Sequence, residues 1–97
     1  MRRQGVLYLI TEDPAARGAF QQPAETLRRV FCEIRSVSFQ EYYRALERDL
    51  YPTHVFRLAD YAEYRGEKLC LFEDVRYRIV RTYVDGQAIE LTVEEAV

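Results

Sequence analysis

Few residues in this chain could do acid–base, nucleophilic or metal chemistry. The only histidine is His54, in a strand-like run just after Pro52. A general base needs a nucleophile and an orienting partner, and no nucleophile motif accompanies it. His54 therefore reads as a satisfied or surface side chain. Cys32 and Cys70 stand far apart, with no Cys-x-x-Cys pair and no second histidine. The four ligands of a structural zinc site are not there. Both cysteines alternate with apolar neighbours and read as reduced core residues; a disulfide between them is unneeded in a cytoplasm. The four glycines make no phosphate-cradling loop. Glu73-Asp74 reads as a turn and Glu94-Glu95 as a solvated tail, not as a catalytic carboxylate pair. No cofactor, no metal and no enzymatic activity are expected. Arg76, Arg78 and Arg81 form a basic stripe on one strand. It is either a solvated face that makes salt bridges or a surface for nucleic acid. The acidic overall balance favours the first.

Bulk properties set the frame for those residues. Ninety-seven residues make one domain with one core. Eight Tyr and five Phe, with no Trp, lean toward β structure and contact surfaces, since Tyr buries a ring while keeping a wet hydroxyl. A net charge of −2 argues against a broad phosphate-binding surface. No apolar run approaches a membrane span, so no membrane partner is expected. Met1-Arg2-Arg3 and Val6–Ile10 are too short for an export signal, which predicts a cytoplasmic protein when made.

The strongest local signal runs from Leu69 to Val93. Val, Ile, Tyr, Phe and Thr dominate it, and such side chains suit a pleated, half-buried surface. Asp85-Gly86 separates two such runs and predicts a hairpin. A two-residue loop at Asp85-Gly86 sets Val84 against Gln87, Thr82 against Ile89 and Val80 against Leu91. Arg81 then lies opposite Glu90. The apolar parity switches at Ile79-Val80. A bulge there would put both apolar sets on one side and bend the strand, as a small barrel requires. The alternative, a strand covered on both faces, suits a short chain less well.

In chain order, Gly5–Glu12 is a strand apolar on both sides, hence buried on both faces or covered by a partner. Residues 13–26 hold two prolines and no clear period, and read as a long loop or arm. Leu27–Val37 is the second strand. Ser38-Phe39-Gln40-Glu41 is a capping box, in which the Ser38 hydroxyl and the Glu41 carboxylate each take an orphan amide. Phe39, Tyr42, Tyr43, Leu46 and Leu50 recur every three or four residues, with Arg44, Glu47 and Arg48 on the polar side. Ser38–Leu50 is thus predicted as an amphipathic helix ended by Pro52. Thr53–Leu58 is a strand and Asp60–Gly66 a loop carrying Tyr61 and Tyr64. The prediction is a mainly β chain: a small closed or partly open barrel of five to six antiparallel strands with one short helix at about 38–50.

The order of these elements resembles that of the head-closure proteins of tailed bacteriophages and prophages, also called head–tail adaptors, connectors or stoppers. The resemblance lies in Cys-Glu-Ile-Arg-Ser-Val-Ser-x-x-Glu-Tyr-Tyr-x-Ala at 32–45 and Tyr-Pro-Thr-x-Val-Phe-Arg-Leu at 51–58. Val-Arg-Tyr-Arg-Ile-Val-Arg at 75–81 and Ile-Glu-Leu-Thr-Val-Glu at 89–94 complete it. It covers 30–95; the 13–26 arm matches less clearly.

The resemblance implies a β-barrel that assembles as a ring beneath the portal, or a portal-adaptor ring, and closes a DNA-filled head. It implies docking to tail-terminator or tail proteins, DNA nearby in the channel without specific binding, and a place at the head–tail interface of a virion. In related stoppers the segment between the second and third strands faces the channel. Here that segment is Ser38–Pro52, with Ser38, Glu41, Tyr42, Tyr43, Arg44 and Arg48 as channel or ring contacts. Tyr61, Tyr64, Arg76, Arg78 and Arg81 are the expected subunit or partner contacts. An isolated subunit is expected to be a monomer or weak oligomer. The other function class is a single-domain nucleic-acid binder using Arg76, Arg78 and Arg81, with Tyr77 or Tyr83 as stacking platforms.

Overall fold

The extended segments pair in sequence so that each hides its neighbour's edge. The computed structural model describes residues 3–13 and 24–96. Six strands, β1 (Arg3–Asp13), β2 (Ala24–Arg35), β3 (Pro52–Leu58), β4 (Leu69–Phe72), β5 (Val75–Asp85) and β6 (Ala88–Glu95), form a closed barrel in the order β1-β2-β3-β6-β5-β4. Every pairing is antiparallel. Among the described residues, one helix, α1 (Phe39–Leu46), joins β2 to β3, and a 3-10 turn (Tyr61–Glu63) follows β3.

The interior is the inward half of each alternation. Leu7, Leu9, Phe56, Leu58, Leu91, Val93 and Cys70 are wholly buried, with Val30, Cys32, Phe72 and Tyr77 around them. Burial pushes the thiols up, Cys32 to about 11 and Cys70 to about 12, so both remain protonated, free and unreactive. The bulge expected at Ile79-Val80 is present: the β5–β6 register shifts between Ile79 and Arg81. A second shift on β3, between Pro52 and His54, faces the same end of β6. Two bulges on strands flanking β6 increase local twist and let so small a sheet close.

Three expectations need correction. The hairpin turn lies one residue further along, which shifts every facing partner by two: Val84 faces Ile89 instead of Gln87, Thr82 faces Leu91 instead of Ile89, and Arg81 faces Thr92 instead of Glu90. Gly86 occupies the first central turn position, with φ +62, and Gln87 the second. A turn with positive φ at its first central residue places Gly there, whereas an Asp-Gly loop would need it second. Gln87 is pinned in that role, since its carbonyl accepts from the Tyr61 amide at 2.7 Å and its side chain donates to Asp60 at 2.8 Å.

The helix is shorter than predicted and Pro52 does not end it. The Asp49 amide bonds the Leu46 carbonyl, the Leu50 amide bonds the Ala45 carbonyl, and Asp49 takes φ +58. That is a Schellman termination with Asp at the left-handed position. The arm is also shorter than expected. Asp13 ends β1 and β2 begins at Ala24, with β1 facing β2 over all eleven pairs. The rest of the expected arm, 14–23, lies outside the described residues.

Candidate interaction site

Ser38 starts α1 as its sequence requires: its hydroxyl accepts from the Glu41 amide at 3.2 Å. The other arm of the capping box is spent elsewhere. The Glu41 carboxylate accepts from the Thr92 hydroxyl at 2.8 Å and meets Arg81 at 3.6 Å, tying α1 to β6 and β5. Glu41, Arg44 and Arg48 then line one side of a cleft of about 340 Å³, with Val80, Arg81 and Thr92 on the other. Four of the residues singled out in the sequence, Glu41, Arg44, Arg48 and Arg81, are brought together there.

The aromatic side of the amphipathic α1 does not pack on the core. None of the eight residues of the helix is buried. Phe39 is 82% exposed and Tyr43 62% exposed, their rings stacked at 6.5 Å, with Tyr42 edge-on to Tyr43 at 6.0 Å. Glu41 holds the helix by polar contacts, leaving the apolar stripe turned outward.

The arginine stripe is matched to carboxylates one by one. Arg76 pairs with Glu25 at 2.7 Å, Arg78 with Glu94, and Arg81 with Glu41. Glu94, read in the sequence as part of a solvated tail, is only 4% exposed. It also accepts from the Tyr51 amide at 2.9 Å, and the Arg78 guanidinium with that amide holds its carboxyl below the usual range. A phosphate approaching this stripe would meet cations already neutralised.

Tyr61 is exposed at the 3-10 turn, as a contact residue must be. Tyr64 is half-buried against the core instead, its hydroxyl donating to the Glu67 carbonyl at 2.7 Å. Sequence reasoning missed Glu67 entirely. Its carboxylate is buried, takes the Arg28 guanidinium at 2.6 Å and the Arg65 amide at 2.6 Å, and so seals that end of the barrel. His54 sits toward the opposite end, stacked on Phe56 at 5.7 Å and edge-on to Tyr77 at 5.4 Å, with Nδ1 beside the Thr53 hydroxyl. Burial lowers its pKa, so the ring is held neutral.

On the far side of the barrel lies a second exposed apolar surface that the sequence flagged through the two-sided character of β1. Val6 faces Phe31, Tyr8 faces Arg29 and Leu71, and Ile10, itself buried, faces Leu27 and Leu69. Phe31 is 70% exposed and Leu27 49% exposed. Beside Phe31 a groove of about 500 Å³ opens against Gln4, Gly5, Val6, Cys32 and Ala59, with Glu33 and Arg57 charged along one side.

No protein-family model and no curated protein matches this chain. Among the described residues no three His, Cys, Asp or Glu side chains converge as metal ligands, and no helix is long and apolar enough to cross a membrane. Among the described residues, the exposed aromatic side chains include the α1 stripe and the β1–β2 wall, beside Tyr51, Tyr61 and Tyr83 elsewhere on the barrel.

Proposed function

We propose that this chain is a head-closure subunit of a tailed phage or prophage. It assembles as a ring on a portal or portal adaptor, closes the DNA-filled head and docks tail proteins. The observation that carries this is α1: a capped helix, tied to the barrel by Glu41, with Phe39 and Tyr43 stacked and exposed. It occupies the segment that the resemblance assigns to channel and ring contacts. A helix with no buried residue contributes little to the core, so its aromatic face is free for a partner. The cleft behind it, with Arg44 and Arg48, would lie near DNA without a neutralising surface broad enough to bind it tightly.

The test mixes the purified chain with a tailed-phage portal ring, from the same genome where one is encoded, and follows co-sedimentation and particle images. A ring of subunits on the portal, lost in Phe39→Asp, is the expected result. No portal binding, together with salt-dependent affinity for single-stranded DNA lost in the Arg76→Ala/Arg78→Ala variant, would replace this function with nucleic-acid binding.

A further inference from the structure

The two exposed apolar surfaces are not alike and not adjacent. One is the α1 stripe, on β5 and β6; the other is the outer wall of β1 and β2. In a closed ring ordered β1-β2-β3-β6-β5-β4, β6 is three strands from β1 in either direction. The surfaces therefore face away from each other across the barrel. A self-complementary dimer needs one patch that fits itself; two different patches on opposite sides make a head-to-tail contact.

Their charges and spacing also differ in a complementary way. Along α1 and into its C-cap, Phe39, Tyr43 and Glu47 recur every four residues, about 6 Å apart along the axis, with Glu47 at the edge where the aromatic stripe meets the polar side. On β2, Arg29 and Phe31 are two residues apart, about 6.8 Å, on the outer face. The Arg29 guanidinium leans over the Phe31 ring at 5.8 Å. Among the described residues, neither Arg29 nor Glu47 has an oppositely charged partner. Setting Glu47 against Arg29 puts Tyr43 against Phe31. Phe39 then falls one step further along, at the groove beside Phe31.

We infer that the partner of the α1 aromatic stripe is a second copy of this chain. Phe39 enters the groove beside Phe31, Tyr43 covers Phe31, and Glu47 meets Arg29. An aromatic anchor in a pocket, ringed by a matched charge pair, is the usual composition of a contact that carries binding energy. This contact rests on the proposed ring assembly and supplies its side-to-side interface.

The test uses two variants, each with one surface disabled: Phe31→Asp and Tyr43→Asp. Both sites are exposed, so each variant should fold, as far-UV circular dichroism will verify. At about 1 mM, a range in which weak contacts populate, sedimentation velocity should show each variant alone as a monomer and the mixture as a 1:1 dimer. Arg29→Glu and Glu47→Arg should each weaken self-association of the otherwise native chain about fivefold, and the double variant should restore it. A wild-type chain monomeric throughout, a mixture no larger than its parts, or a double variant no better than the singles would each overturn the contact. Portal binding by the monomeric variants is read separately. If it survives while the mixture fails to dimerise, the proposed function stands and only this interface falls.

Discussion

Across β2, β3 and β6 the barrel's outer surface is a closed circuit of charge; across β2 and β1 the middle of the wall is apolar around one cation, with Gln4, Glu12 and Glu25 toward its ends. In the first region Glu33, Arg57 and Glu90 occupy one row of facing positions. Arg35 reaches Glu33 at 2.8 Å and Glu90 at 3.0 Å, and Arg57 reaches Glu90 at 2.9 Å and Asp85 at 3.2 Å. Further along β6, Thr92 holds Glu41, and Glu94 holds Arg78 and the Tyr51 amide. Each group there has a partner within the same chain. In the second region Phe31, Leu27 and Tyr8 have only Arg29 among them. Among the described residues, one wall pairs its charges within the chain, and the other leaves apolar area exposed that a partner could cover.

Two phenylalanines give the widest separation between inside and outside. Phe56→Ala, beneath the charged wall, should cost about 3–5 kcal/mol in denaturant unfolding, because its buried ring leaves a cavity against Phe72, Tyr77 and His54. Acid should act next. His54 is held below its ordinary 6.5 by burial, so its contribution is complete above pH 6.5 and is lost as pH falls through its native value. Glu94 is held below its ordinary 4.5 by Arg78, so a second loss follows below pH 4.5. Denaturant midpoints measured from pH 8 to pH 3 should fall in those two steps, and His54→Gln should remove the first.

A smaller effect of opposite sign is expected at the β4–β5 turn. Glu73 and Asp74 sit at φ +50 and +65, a conformation that costs non-glycine residues about 1 kcal/mol or more each. Replacing them with Asn-Gly should raise stability by about 1 kcal/mol, read as a higher midpoint at unchanged slope. The smallest change should come from Phe31→Ala. Removing a ring as large as that of Phe56 from the apolar wall should move stability by less than about 0.5 kcal/mol. A loss comparable to that of Phe56→Ala would mean that Phe31 is covered within its own chain.

Much of this architecture could be read from residue order. Branched and aromatic runs broken by turn residues gave the strands, the parity switch at Ile79-Val80 gave the bulge, and Ser38 gave the start of α1. The helix end was missed through a local Schellman turn at Asp49, whereas two other misses share a cause: a tertiary contact overruled a local rule. Asp85-Gly86 carried the stronger turn signal, but Gln87 is bonded to Asp60 and Tyr61, and that moves the turn by one residue. Glu41 could have closed its capping box, but Thr92 and Arg81 were in reach. The aromatic period of α1 gave its stripe correctly; periodicity reports which residues share a face, not whether that face meets the core. Glu67 and Glu94 were invisible because a buried carboxylate and a solvated one are the same letter.

The β1–β2 pair is long, yet it is sewn into the barrel by two short seams. β1 meets β4 through three facing pairs and β2 meets β3 through three, against eleven between themselves. The groove beside Phe31 straddles the second seam, with Phe31 and Cys32 on one bank and Arg57 and Ala59 on the other. A side chain wedged there acts as a clasp across the weakest join, so each docked neighbour would make its host harder to unfold.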